Sequence, residues 1–349
     1  MKSKTIEILN KKALFDVRER NMDILTDYYR SCPSLPLGLM GISACRNVEI
    51  AALNTEMIDG IFDELAERAH FSEDYRILRP LSIDMQLYGV HFIDKLFGAE
   101  IHYNKNQNLW WSEGVKNPIG TLEFPDFKNS ELWQRCVWFY EEIINRNINL
   151  PFLATQILGS PTVGIFNLYK ENVLYGFYDD PEGVRHDLRV LTDTLIYLHK
   201  WFLMKIPKEI FQPICIDGRL QPRGCGQLCG CTTQLISNEI YEEFLFPLDK
   251  EIFSLYENGG LYHLCGAHTQ HIKTWQSWKE LKAVQLNDRA SDDFEEYFTK
   301  LRDDQIIYLT PNETMTIERA LEISGGKRTI LVGEPNSISK HIGCYCKGH

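Results

Sequence analysis

The chain has 349 residues, and its 37 basic and 48 acidic side chains leave a formal charge of −11. With 44% hydrophobic and 12% aromatic residues it can bury a large core, which excludes disorder as a description of the whole. The acid excess argues against nucleic acid and against an anionic membrane surface as partners, and no apolar run approaches the roughly eighteen residues of a bilayer span. Charges scattered through the opening MKSKTIEILNKKALFDVRER interrupt what would be the apolar centre of an export signal. A cytoplasmic protein is expected.

In chain order, residues 1–33 read as a helical lead-in. LPLGLMGI (Leu35 to Ile42) is a predicted strand. The stretch from His102 to Gly120 is polar and turn-rich, and reads as a hairpin-like excursion whose Trp110 and Trp111 are best explained by ordinary packing. LPFLAT (Leu150 to Thr155) and the shorter PICI (Pro213 to Ile216) are further predicted strands. Between them, Val184, Leu188, Leu191, Leu195 and Leu198 form a helical stripe opened by Asp179-Asp180-Pro181-Glu182. Phe244, Leu248, Ile252 and Leu255 form another, closed by Gly259-Gly260.

The rhythm is clearest in the second half. LYHLC (Leu261 to Cys265), AVQL (Ala283 to Leu286), IIYL (Ile306 to Leu309) and TILV (Thr329 to Val332) alternate with helical stripes at Phe294, Tyr297, Phe298 and Leu301 and at Ile317, Leu321 and Ile323. Strands alternating with helices imply βα units and a parallel sheet, so the fold class is α/β. No linker divides the chain, which gives one barrel-like domain over residues 34–335 and a cysteine-rich tail over 336–349.

Seven of the ten cysteines fall after residue 210. A chain this rich in core does not need a framework of disulfides, so clustered cysteines near histidines point to metal ligation or thiolate chemistry. Cys32, Cys136 and Cys215, taken singly, read as small buried hydrophobes. The strongest feature is His263-Leu264-Cys265 at the end of an apolar strand. Residues two apart in a strand share a face, and a neutral imidazole and a thiolate are both good zinc ligands. Other polar residues follow the strands: Asn287 and Asp288, Asn312 and Glu313, and Gly333-Glu334. Cys229-Gly230-Cys231 precedes Ser237, a predicted helix cap. His268 and His271 share a helical face and read equally well as lining the site, as partners behind it or as solvent-facing. Each of these residues alone is explained by a loop or cap; together they gather oxygen, nitrogen and sulfur around one mouth.

The run from Ser237 through IYEEFLFPLDKEIF to GGLYHLCGAH resembles the uroporphyrinogen decarboxylase superfamily, with weaker matches at FGAEI (Phe97 to Ile101), LGSPTVG (Leu158 to Gly164) and DDPEGVRHDL (Asp179 to Leu188). The resemblance implies a single (β/α)8 TIM barrel with its site at the strand ends. The decarboxylase branch needs an arginine-rich loop after the first strand; here GISACRNVEI (Gly41 to Ile50) offers Arg46 alone, which cannot pair with many carboxylates. The better match is the zinc-dependent methyltransferase branch, similar to methylcobamide:thiol enzymes, in which His263 and Cys265 supply two zinc ligands. That branch's third ligand is a cysteine near the last strand, and none stands there. Glu334 ranks first as its replacement, Cys229 or Cys231 second, and Cys344 or Cys346 of the tail third.

The expectation is therefore a zinc-dependent methyltransferase that moves a methyl group from a corrinoid protein or other donor to a small-molecule thiol, with Asp288, Asn287 and Asn312 as orienting groups. The alternatives are a metal-free decarboxylase or other lyase acting on a small acid through Arg46, Asp84 or Asp217, and a non-catalytic metal- or corrinoid-binding barrel.

Overall fold

The computed structural model describes residues 2–32, 35–73, 77–107, 109–215 and 218–345. Its strands are β1 (Leu37–Leu39), β2 (Ile42–Val48), β3 (Ile77–Leu78), β4 (Leu81–Leu87), β5 (Ile101–Asn104), β6 (Leu109–Ser112), β7 (Phe152–Ala154), β8 (Phe211–Gln212), β9 (Gly226–Cys229), β10 (Gly260–Leu264), β11 (Leu281–Leu286), β12 (Ile306–Leu309) and β13 (Thr329–Val332). Apart from the antiparallel hairpin β5–β6, they form two parallel sheets, ordered β3-β1-β13-β12-β11-β10-β9 and β2-β4-β7-β8. β4, β10, β12 and β13 are buried along their whole length, as expected of parallel strands covered on both faces.

The two sheets share chain segments. β1 and β2 are one run broken at Met40–Gly41, and β3 and β4 are one run broken at Arg79–Pro80. Backbone bonds carry the ladder across the breaks: Met40 N–H donates to Leu78 O (2.9 Å) and Ile42 N–H to Pro80 O (2.7 Å). Near the far ends of this wall, a parallel bridge joins Gly159, just past β7, to Cys229 at the end of β9. The α/β class and parallel sheet agree with the reading of the sequence. Of PICI, Ile216 lies outside the described residues and Pro213, Ile214 and Cys215 form no strand; β8 lies just before them, and Pro213, which has no N–H to donate, stands in a bend.

Helices precede the first strand and fill the chain between strands, among them Lys12–Ser31, Thr55–Arg68, Glu131–Ile144, Pro161–Tyr169 and Pro181–Lys205. The last begins as expected, with the Asp180 side chain accepting from Gly183 N–H (3.0 Å). One turn further in, fully buried Asp187 accepts from Gly120 N–H (2.7 Å), Leu122 N–H (2.9 Å) and the Tyr169 hydroxyl (2.6 Å), and so pins the excursion to the body. Within that excursion Trp110 is buried edge-on against Tyr88, whereas Trp111 is half-exposed and stacked on His102. At the other end of the chain, Pro335–Tyr345 is helical, and its Ile338 and Ile342 lie so close to Gly38 that a Cβ there would come within 3.0 Å of both. Cys346 lies outside the described residues. No helix among the described residues is long and apolar enough to cross a membrane.

His199, on the inner face of Pro181–Lys205, is completely buried with Nδ1 2.6 Å from the Tyr256 hydroxyl. Burial pushes its pKa down to about 3, so the folded state requires the neutral ring. That contribution to stability is complete above the unfolded value near 6.5 and drains away as pH falls toward 3. Between pH 7 and 4.5 it should account for about 2–3 kcal/mol of lost stability. Urea unfolding of the parent and His199→Leu at both pH values checks this; the variant should lose correspondingly less on acidification.

Candidate metal centre

β9 and β10 lie side by side in parallel, with Cys229 opposite His263. Whatever follows Cys229 is therefore carried to the same height as whatever follows His263. The Cys231 sulfur lies 3.2 Å from the Cys265 sulfur, and His263 Nε2 lies 2.9 Å from Cys265 Sγ. Cys231, His263 and Cys265 form one of two groups among the described residues whose donor atoms all fall within 4.8 Å of one another. The other, Glu100, His102 and Glu113, is at the exposed base of the hairpin.

The imidazole's protonation follows from its partners. Arg219 Nη2 stands 3.2 Å from His263 Nε2; a guanidinium only donates, so Nε2 accepts and the ring proton is on Nδ1. Nδ1–H then donates to Gln285 Oε1 at 2.8 Å, from the strand position opposite His263 on β11. An outer hydrogen bond of this kind fixes a ligating histidine's tautomer and aims its free lone pair at the ion. Burial, then the Arg219 charge, keep the ring neutral by lowering its pKa. The hydrogen bond from the Cys231 thiol, with the Arg219 charge behind it, holds the Cys265 thiol well below the ordinary thiol range against the cost of burial. Cys231, which gives that bond, is pushed well above that range.

These donors fit zinc. Two sulfurs and one imidazole nitrogen are a known catalytic set that leaves one tetrahedral position open. Ideal tetrahedral geometry places two sulfurs about 3.8 Å apart and sulfur and nitrogen about 3.6 Å apart, so the group needs to spread by roughly 0.6 Å to take the ion.

The two ligand-bearing turns are tied together behind the site. The Thr233 hydroxyl donates to Gly230 O (2.9 Å), His268 Nδ1 lies 2.8 Å from that hydroxyl, and Gly266 N–H donates to His268 Nε2 (3.2 Å). His268 thus bridges the turn after Cys229 and the turn after Cys265, and His271 Nε2 adds a bond to Thr233 O (2.9 Å). Both histidines are fully buried, so they are partners behind the site and do not face solvent. Gln234 Nε2 donates to Cys231 O (3.0 Å) and closes the turn from outside.

The other candidates lie elsewhere. Glu334, ranked first as third ligand, is exposed and outside the group. It follows β13, three strand positions from β10. Cys229 is buried with its sulfur 3.6 Å from Arg219 Nη1 and is not in the group either. Cys344 is in the last helix. Asn287 and Glu334 line a cavity of about 590 Å³ at the strand ends, together with Ser43, Arg79 and Thr310. Asn287 N–H donates to Leu264 O (3.0 Å), the residue before Cys265, although Cys231, His263 and Cys265 are not among the residues lining this cavity. Asn312 commits its amide to the turn it occupies, donating to Asp288 O and Asp292 Oδ1 (both 2.9 Å) and accepting from Thr314 and Met315 N–H. Asp288 is exposed, with a left-handed φ of 48°. Of the residues considered for metal-free chemistry, Arg46 pairs with Glu64, fully buried Asp84 accepts from Cys215 N–H (2.9 Å) and from Gln86, and Asp217 lies outside the described residues.

No protein-family profile and no curated protein matches the sequence. Among solved structures, the chain is similar to a methyltransferase from Methanosarcina mazei, with a TM-score of 0.53 at 10% identity over 74% of this chain and 77% of the other. It also aligns with a B12-independent methionine synthase from Shewanella sp. W3-18-1 in complex with selenomethionine, with a TM-score of 0.43 at 9% identity over 85% and 88%. The first likeness shows a shared fold.

Protein purified without a histidine tag is expected to carry about one zinc per chain, matching one tetrahedral site. Elemental analysis should show it lost in Cys231→Ser, His263→Ala and Cys265→Ser and kept in Glu334→Gln.

Proposed function

We propose that this chain is a (β/α)8 barrel of the uroporphyrinogen decarboxylase superfamily and acts as a zinc-dependent methyltransferase. In this reading a methyl group passes from a corrinoid carried by a partner protein to a small-molecule thiol. The observation that carries the reading is the Cys231–His263–Cys265 group at the carboxyl end of the parallel sheet, where barrel enzymes build their sites. Bound there, zinc would lower the pKa of the acceptor thiol and so favour its nucleophilic thiolate at neutral pH.

The chain's own residues do the rest. Gln285 keeps the His263 lone pair directed at the ion's place, and Thr233 with His268 holds the two cysteine turns at a fixed separation. The cavity at the strand ends would admit the acceptor, with Asn287 on its wall to orient it. Asp288 and Asn312 act as supports of the rim turns. The shared fold with the Methanosarcina mazei methyltransferase supports the barrel.

With methylcobalamin as donor and a panel of low-molecular-weight thiols, the parent should methylate at least one thiol. Cys231→Ser and Cys265→Ser should fall to the uncatalysed background while keeping the parent's circular dichroism. Undiminished methylation by folded Cys265→Ser would refute the assignment, and activity that survives both chelation and loss of His263 would move it to metal-free lyase chemistry.

A further inference from the structure

The resemblance to a known family rests on several segments, and the structure brings two of them, the run from Ser237 to GGLYHLCGAH and LGSPTVG, to one buried carboxylate. Asp249, from FPLDKEIF, is fully buried and its Oδ2 accepts from the Tyr241 hydroxyl (2.9 Å) and the Tyr262 hydroxyl (2.8 Å). Ser160, from LGSPTVG, lies beside the same carboxylate. Trp275 Nε1 donates in turn to the Tyr241 hydroxyl (3.2 Å). A hub of this kind is costly: a buried carboxylate must be desolvated, and apolar residues of similar volume often serve stability as well or better.

The ring that Asp249 holds has a second contact. Tyr262 precedes His263 and, by strand alternation, points to the opposite face. Its phenol edge reaches across to the end of β9 and lies against Gly230, where a Cβ would fall 2.0 Å from Cε1 and 2.5 Å from Cζ. Only glycine fits under that ring. Gly230 is the residue between Cys229 and Cys231, with its N–H on His263 O (2.9 Å) and its carbonyl under the Thr233 hydroxyl. The Tyr262 ring is thus the surface against which the peptide leading into Cys231 is seated.

We propose that Asp249 is a positioning residue for Cys231, acting through the Tyr262 ring and Gly230. The carboxylate anchors the phenol, the phenol fixes the height of the 230–231 peptide, and the peptide sets the distance of the Cys231 sulfur from Cys265 and His263. This rests on the metal-centre reading for one of its two readouts only.

The test uses the full chain and Asp249→Ala, Asp249→Asn, Tyr262→Phe and Gly230→Ala. One readout needs no metal: after chelation, the rate at which diamide closes a Cys231–Cys265 disulfide, followed by peptide mass spectrometry, reports how often the two sulfurs meet. The other is the Co(II) affinity and the thiolate-to-cobalt absorption of the folded protein. Asp249→Ala is expected to weaken Co(II) binding and slow the cross-link by about tenfold each, within the range typical of lost outer-shell support. Asp249→Asn, whose amide oxygen still accepts from a tyrosine, should recover most of both. Gly230→Ala should match Asp249→Ala, and the double variant should be little worse, because both break the same link. Should Asp249→Ala fail to fold, Tyr262→Phe, which removes one hydroxyl and keeps the ring, decides the question with a smaller change in the same direction.

Unchanged cobalt affinity and cross-linking in folded Asp249→Ala or Tyr262→Phe would overturn the proposal, and so would a parent chain in which the two cysteines never cross-link. A parent that cross-links but takes up no cobalt would count against the metal centre alone, and the relative cross-linking rates would still decide the role of Asp249.

Discussion

The parallel pairing of β9 with β10 is the constraint on which the site depends. With Cys229 opposite His263, the turn after each strand delivers a cysteine to the same place, and neither turn needs to be long. A one-residue slip would turn His263 away from the cysteines and bring Tyr262 toward them, because strand side chains alternate. The register is supported on both sides: Gln285 on β11 meets His263 in front, and the Tyr262 ring fits Gly230 behind.

The electrostatics are arranged around the same pairing. A half-buried pair of sulfurs shares one hydrogen bond, and Arg219 places its guanidinium between His263 and Cys229. A positive group there favours thiolate over thiol and keeps the imidazole neutral, and both are the forms a metal ion requires of its ligands. Behind the ligands, neutral and fully buried His268 does what a cap would do at a helix end: it satisfies a backbone N–H at one turn and supports a hydroxyl at the other.

Much of the second half was legible in the sequence because its strands are short unbroken apolar runs. β10 to β13 fall where LYHLC, AVQL, IIYL and TILV stand, and His263 with Cys265 sits at a strand end. The first half was harder to read. β4 is fully buried yet carries Asp84 and Gln86, and β9 is a four-residue run with a glycine and a glutamine, so neither shows a strand's pattern. The third metal position was sought first at Glu334 because the resembled branch carries its third ligand near the last strand; here that strand is three positions from β10, whereas Cys231 follows the strand paired with it. Gln285 did leave a signal as the single polar residue in AVQL. Arg219 left none, since a basic residue in a turn-rich stretch is normally solvated. The tie between Asp249, Tyr262 and Gly230 needed three dimensions, although its members lie in or just before the one segment whose motif was specific.

The central claim is that two sulfurs and one imidazole nitrogen, supplied by Cys231, Cys265 and His263, hold a single zinc ion. X-ray absorption at the zinc edge on the protein as purified, beside Cys231→Ser, measures this most directly. The account predicts two sulfur scatterers at about 2.3 Å with nitrogen or oxygen neighbours at about 2.0–2.1 Å, and one sulfur fewer in the variant. A shell of oxygen and nitrogen alone, or a sulfur count that Cys231→Ser leaves unchanged, would contradict it.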